Sequence, residues 1–134
     1  MKFLSIDYGE KRVGLAMTDP LKMFAVPFAT IENNSDVSLF DELLKIIDAH
    51  DIKKIIIGLP LSIAGEDTPK TIEVREFYKK LSEKTDIPLV WWDERYSTCE
   101  ASEILKNKGL SLRESKEKID QVAAAVILKS YLDT

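Results

Sequence analysis

The sequence predicts an α/β fold: one five-stranded mixed sheet with helices on both faces. Three observations carry that expectation. The first third of the chain reads as short strands joined by tight turns, which calls for antiparallel pairing. Beyond it, apolar β-branched runs alternate with stretches of helical periodicity, which calls for parallel strands joined by crossovers. The run Lys54-Ile55-Ile56-Ile57-Gly58 is apolar without alternation, as in a strand covered on both faces.

The elements follow in order. Phe3–Ile6 is a short buried strand, Gly9-Glu10-Lys11-Arg12 a turn, and Val13–Thr18 a second strand that completes a hairpin. Met23–Ile31 supplies a third strand, in which Pro27 is tolerable only at a sheet edge or a bulge. Asn33-Asn34-Ser35-Asp36 ends in helix-capping chemistry, and Val37, Phe40, Leu43, Leu44 and Ile47 recur at helical spacing. After the Ile55–Ile57 strand, Leu59–Asp67 is a loop broken by Pro60 and Gly65. Thr68-Pro69 caps a helix that runs to about Ser82 on Ile72, Phe77, Tyr78 and Leu81. Ile87–Trp92 is the last strand, with Trp91 and Trp92 on opposite faces. Ser97-Thr98-Cys99-Glu100 matches a capping box and opens a helix to Leu105. A polar break over Asn107–Leu112 precedes a final helix from about Glu114 to Leu132, whose apolar face includes Ile119, Val122, Ala123, Val126 and Ile127.

A length of 134 residues suits one domain over 1–134, and 45% hydrophobic against 31% charged residues is a globular balance. The 19 Lys and Arg against 23 Asp and Glu exclude a globally basic nucleic-acid binder, so any contact with a polyanion must be local. The single Cys99 has no partner for a disulfide and reads as a thiol in a reducing compartment. The single His50 sits at a helix end, which sets aside mechanisms built on a Ser-His-Asp or Cys-His pair. The first residues are too briefly apolar for a signal peptide, and no run approaches a membrane span, so a cytoplasmic protein with no membrane partner is expected.

Sites in open α/β sheets form outside the carboxyl ends of the parallel strands. Asp7 closes the first strand there, and Asp93-Glu94 closes the Trp91-Trp92 strand. Asp120 lies beside the apolar run Val122-Ala123-Ala124-Ala125. Each alone has a structural reading, as a turn former, a capping group or a partnered carboxylate. Together they suggest a site for Mg²⁺ or Mn²⁺, hard cations that take carboxylate oxygens. In the turn after Asp7, Lys11 and Arg12 stand beside Gly9 and Gly14 and could hold a phosphate; Arg95 follows the second acidic pair in the same capacity. Lys106, Lys108, Arg113, Lys116 and Lys118 form one basic cluster and Lys79, Lys80 and Lys84 another, both ordinary for a solvated surface.

These residues resemble the YqgF, or RuvX-type, family of RNase H-like nucleases. The resemblance rests on Asp7-Tyr8-Gly9-Glu10-Lys11-Arg12-Val13-Gly14-Leu15-Ala16, Gly58-Leu59-Pro60-Leu61, Asp93-Glu94-Arg95-Tyr96-Ser97-Thr98 and Ile119-Asp120-Gln121-Val122-Ala123-Ala124, in the family's order over nearly the whole chain. It implies an RNase H-like fold and metal-dependent phosphodiester hydrolysis. Asp7, Glu94 (with Asp93 as rival) and Asp120 would be the catalytic metal ligands, and Lys11, Arg12 and Arg95 the substrate contacts. It also implies maturation of the 5′ end of pre-16S rRNA, with Holliday junction cleavage as the older assignment. The family often has Asn and Asp after its Gly-Leu-Pro where Ser62 and Ala64 stand here, and often a more basic segment than Arg113–Lys118. Both departures bear on substrate affinity.

The nuclease reading competes with two others: an ATP-binding domain like those of sugar kinases and actin, and a non-catalytic nucleic-acid-binding adaptor. The first needs two such domains around a nucleotide, and this chain has length for one. Structured RNA or DNA junctions are the expected partners, to a monomer or a homodimer, since cutting two strands of a junction asks for a symmetric pair.

Overall fold

The structure is a computed structural model that describes residues 2–19, 24–62, 64–94 and 112–133, the last segment with side chains from 119 on. Strands β1 (Lys2–Asp7), β2 (Arg12–Thr18) and β3 (Ala25–Glu32) lead into α1 (Asp36–Ala49), then β4 (Ile52–Leu59), α2 (Pro69–Lys84), β5 (Leu89–Asp93) and α3 (Leu112–Leu132). The expected helix over Ser97–Leu105 lies outside the described residues, as do Met23 and the break after that helix except Leu112, which already opens α3, two residues before the expected start at Glu114.

The five strands lie in the order β3-β2-β1-β4-β5. β1 pairs antiparallel with β2 and β2 with β3, whereas β1–β4 and β4–β5 are parallel. This is the expected mixed sheet. Pro27 is accommodated as anticipated: β3 is an edge strand, and its register against β2 shifts between Leu15 and Ala16.

One face of the sheet is covered by α1 and α2 through Leu39, Phe40, Leu43, Ile47, Val74, Phe77 and Leu81, packed on Leu4, Ile6, Val13, Leu15, Ile55 and Ile57. The other face is covered by α3, whose Ala124, Ala125, Ile127 and Leu128 meet Ala16 and Ile56. Small residues on α3 let it lie close to the sheet. Ser35 caps α1 and Thr68 caps α2 with Pro69 just inside it. Thr71 completes a capping box and its hydroxyl donates to the Pro60 carbonyl at 2.5 Å, which pins the start of α2 beside the exit of β4.

Three apolar residues assigned to helix faces are exposed: Val37, Ile72 and Ile119. At roughly 100° per residue, Val37 lies about 120° from Leu43 and Ile72 about 140° from Phe77, away from those buried side chains. On α3, full burial among the described side chains begins only at Val122. No helix among the described residues is long and apolar enough to cross a membrane.

Candidate active site

Strand register determines which acidic residues meet. Ser5 pairs with Ala16 and Asp7 with Gly14, and paired residues point to the same face. That face is the α3 side, because the buried Ser5 hydroxyl donates to the Ala124 carbonyl at 2.6 Å. Gly58 pairs with Trp92, which packs in the α3-side cluster. Glu94, two residues on, belongs to the same side. Trp91 packs on the α2 side, stacked on Tyr78 with ring centroids 3.8 Å apart, and alternation sends Asp93 that way. Glu94 is thus the member of the Asp93-Glu94 pair that shares the α3 side of the sheet with Asp7.

Two glycines make room for this arrangement. A Cβ on Gly14 would collide with the Asp120 backbone carbonyl, so α3 rests directly on β2 at that point. A Cβ on Gly58 would come 2.8 Å from the Glu94 side chain and 2.6 Å from Cδ1 of Ile127. Gly14 lies within β2, as the strand reading of Val13–Thr18 anticipates, and its missing side chain is what brings Asp120 down beside Asp7.

Asp7 and Glu94 are joined by a side-chain hydrogen bond, and both are partly buried. Burial, then the Asp7 charge and its hydrogen bond, push the Glu94 carboxyl from 4.5 up to about 8. Burial also raises Asp7, while the hydrogen bond from Glu94 and the positive charge of Lys70 pull it down and the negative charge of Asp120 pushes it up. The consistent picture is a protonated Glu94 donating to an ionised Asp7. Asp120 stands within electrostatic reach and is held by Arg12, whose Nε donates to its Oδ2 at 2.9 Å.

Lys11 is exposed in the turn before β2. Arg95 lies outside the described residues, as do Lys106 and Lys108 of the first basic cluster. Lys70 was missed by sequence reasoning. It follows Pro69 in the first turn of α2, and its charge acts on both Asp7 and Glu94. The signal available was its position at the loop leaving β4, on the same sheet edge as the carboxylates.

Residues 1–134 match the family described as "RuvX: Holliday junction resolvase". A protein of Maridesulfovibrio salexigens named "Putative pre-16S rRNA nuclease" is 46% identical over 132 residues, covering 98% of each chain. The chain belongs to this family. Another RuvX-family relative of the same name, from Oleidesulfovibrio alaskensis, is 40% identical over 99% of this chain and 92% of its own. The fold agrees with solved nucleases: RuvC of T. thermophilus, in complex with Holliday junction substrate, superposes with a TM-score of 0.63 at 10% identity over 98% of this chain and 94% of that one. The fowlpox virus resolvase bound to Holliday junction DNA gives 0.60 at 12% identity over 99% and 97%.

The acidic set of this RuvX-family chain fits a divalent cation by its chemistry. Two carboxyls in contact must retain a proton to coexist, and a third carboxylate adds to the negative potential on them. All are hard oxygen donors of the kind Mg²⁺ and Mn²⁺ take. Among the described residues no three such groups surround a common point in this arrangement, in which Asp120 is paired with Arg12.

Proposed function

We propose that this protein is a metal-dependent endonuclease, one RNase H-like domain over residues 1–134 that processes the 5′ end of pre-16S rRNA in the cytoplasm. The observation that carries this reading is the Asp7–Glu94 carboxyl pair at the ends of parallel strands, with Asp120 seated beside it on Gly14. Asp7, Glu94 and Asp120 are the residues that would hold Mg²⁺ or Mn²⁺. When bound, such a cation polarises the phosphodiester and lowers the pKa of an attacking water. The chain's own contribution is orientation. Ser5 and Gly14 fix α3 against the sheet, so Asp120 is presented from a rigid backbone. Glu94 holds a proton against Asp7, one that it would give up were the two carboxyls to serve as ligands. Lys70 offsets the negative charge from the α2 side. Lys11, Arg12 and Arg95 supply guanidinium and ammonium groups for the substrate's phosphates.

RNA ranks above DNA as substrate because relatives at 46% and 40% identity carry the pre-16S rRNA name, whereas the junction-bound neighbours share only the fold at 10% and 12%. The family description keeps junction resolution as the second reading. One experiment separates these. The purified protein is incubated with a 5′-extended small-subunit rRNA transcript and, separately, with a four-way DNA junction, in Mg²⁺, in Mn²⁺ and in EDTA. Cation-dependent trimming of the RNA, abolished in Asp7→Asn while RNA binding persists, is the expected outcome. Cutting of the junction alone assigns the activity to DNA. No cutting of either, with Asp7→Asn indistinguishable from wild type, leaves a binding adaptor.

A further inference from the structure

Arg12 is expected to meet substrate, yet in the structure its guanidinium is committed to a carboxylate of the site itself. Nε donates to Oδ2 of Asp120 at 2.9 Å, with the Arg12 side chain 55% exposed and that of Asp120 22% exposed. The pairing is built in by register. Arg12 and Gly14 lie two residues apart on one face of β2, and the absent side chain of Gly14 sets the Asp120 backbone directly above that face. The backbone at Asp120 is therefore held from below while its carboxylate reaches the half-exposed Arg12, so the carboxylate can change partner by side-chain rotation. Asp120 thus already carries a cationic partner, and no described trio of acidic groups closes around one point.

We propose that Arg12 is the resident counter-ion of Asp120 in the cation-free protein and releases that carboxylate when the site takes up a divalent cation, its freed guanidinium then facing the substrate's phosphate. The inference rests on the nuclease reading above and deepens it. Arg12 becomes a positioning residue first and a phosphate contact second. The coupling is reciprocal: without a cation, Arg12 neutralises Asp120 through Nε; with one, its charge is available to a polyanion, and a polyanion on Arg12 in turn favours the cation. Nucleic-acid engagement through Arg12 is then strengthened by loading of the site. The exchange is inexpensive because an exposed ion pair of this kind contributes little in water.

The test is Mn²⁺ binding to the full chain, followed by titration calorimetry without nucleic acid, for wild type, Arg12→Gln, Arg12→Lys and Lys11→Gln. Removing the competitor should tighten Mn²⁺ binding in Arg12→Gln by up to about fivefold, the equivalent of the ~1 kcal/mol at the upper end for exposed pairs. Arg12→Lys should stay near wild type, since it keeps a cation at the same place. Lys11→Gln removes the same charge one residue away and should change binding far less. Unchanged or weaker binding in Arg12→Gln overturns the proposal, because a merely supporting role predicts loss. Equal tightening in Lys11→Gln also overturns it, by assigning the effect to the general field. Binding in wild type with no tightening in Arg12→Gln sinks this inference alone. No Mn²⁺ binding in wild type sinks the nuclease reading with it.

Discussion

The Asp7–Glu94 pair makes the folded protein sensitive to pH in a direction opposite to carboxylates held by ion pairs. A carboxyl whose pKa is raised on folding holds a proton that the unfolded chain has released. Its stabilising contribution is present in full below the unfolded value near 4.5 and is lost as pH rises through about 8. Asp7, also raised, acts in the same sense. At about 1.4 kcal/mol per pH unit, the displacement of Glu94 bounds the loss at roughly 5 kcal/mol. In urea unfolding at pH 5, 7 and 9 in EDTA, wild type should therefore weaken steadily toward pH 9. Glu94→Gln keeps the donor without the titration, so its stability should fall far less over that range. The difference between the two curves isolates the pair. Parallel curves for wild type and Glu94→Gln, or a wild type that gains stability between pH 6 and 8, would refute the shared-proton arrangement.

Three further outcomes follow from particular contacts. Gly14→Ala places a Cβ on the Asp120 backbone carbonyl, so it should cost at least about 2–3 kcal/mol in urea unfolding, as overpacking against backbone does; Gly58→Ala, whose obstacles are the side chains of Ile127 and Glu94, should cost less. Ser5→Ala removes the buried bond to the Ala124 carbonyl and should lower stability by about 1 kcal/mol, read from the unfolding midpoint. Lys70→Gln removes a charge that draws both carboxyls down, so the pH-dependent decline should move to higher pH; a decline at unchanged pH would exclude Lys70 from the site's electrostatics.

Much of this architecture was legible because local and global signals agree. Ile55-Ile56-Ile57 is apolar on both sides and lies in a strand covered by helices on both faces. Thr68-Pro69 reads as a helix start and is one. Pro27 calls for an edge strand with a bulge and has both. Asp7 and Asp120 stood out because each borders an apolar run. What could not be read depends on parity and proximity. Asp93 and Glu94 differ only in which face of β5 they follow, and that is set by how Trp91 and Trp92 seat against α2 and α3. Gly14 was legible as a strand residue after a turn, but not as the place where a helix more than a hundred residues away comes down onto the sheet. Lys70 carries only a positional signal, a cation at the helix start that follows the loop leaving β4. The pairing of Arg12 with Asp120 is a long-range contact that no spacing encodes.

The most direct test of the proposed site is divalent cation binding by the acidic set itself, measured as Mn²⁺ titration of wild type, Asp7→Asn, Glu94→Gln and Asp120→Asn at pH 8 without nucleic acid. Stoichiometric binding in wild type, weakened at least about tenfold in each variant, is the expected result, with all three variants remaining folded by circular dichroism. Wild-type affinity in Asp120→Asn would show that the carboxylate of α3 takes no part in holding the ion, and the three-carboxylate centre would have to be abandoned.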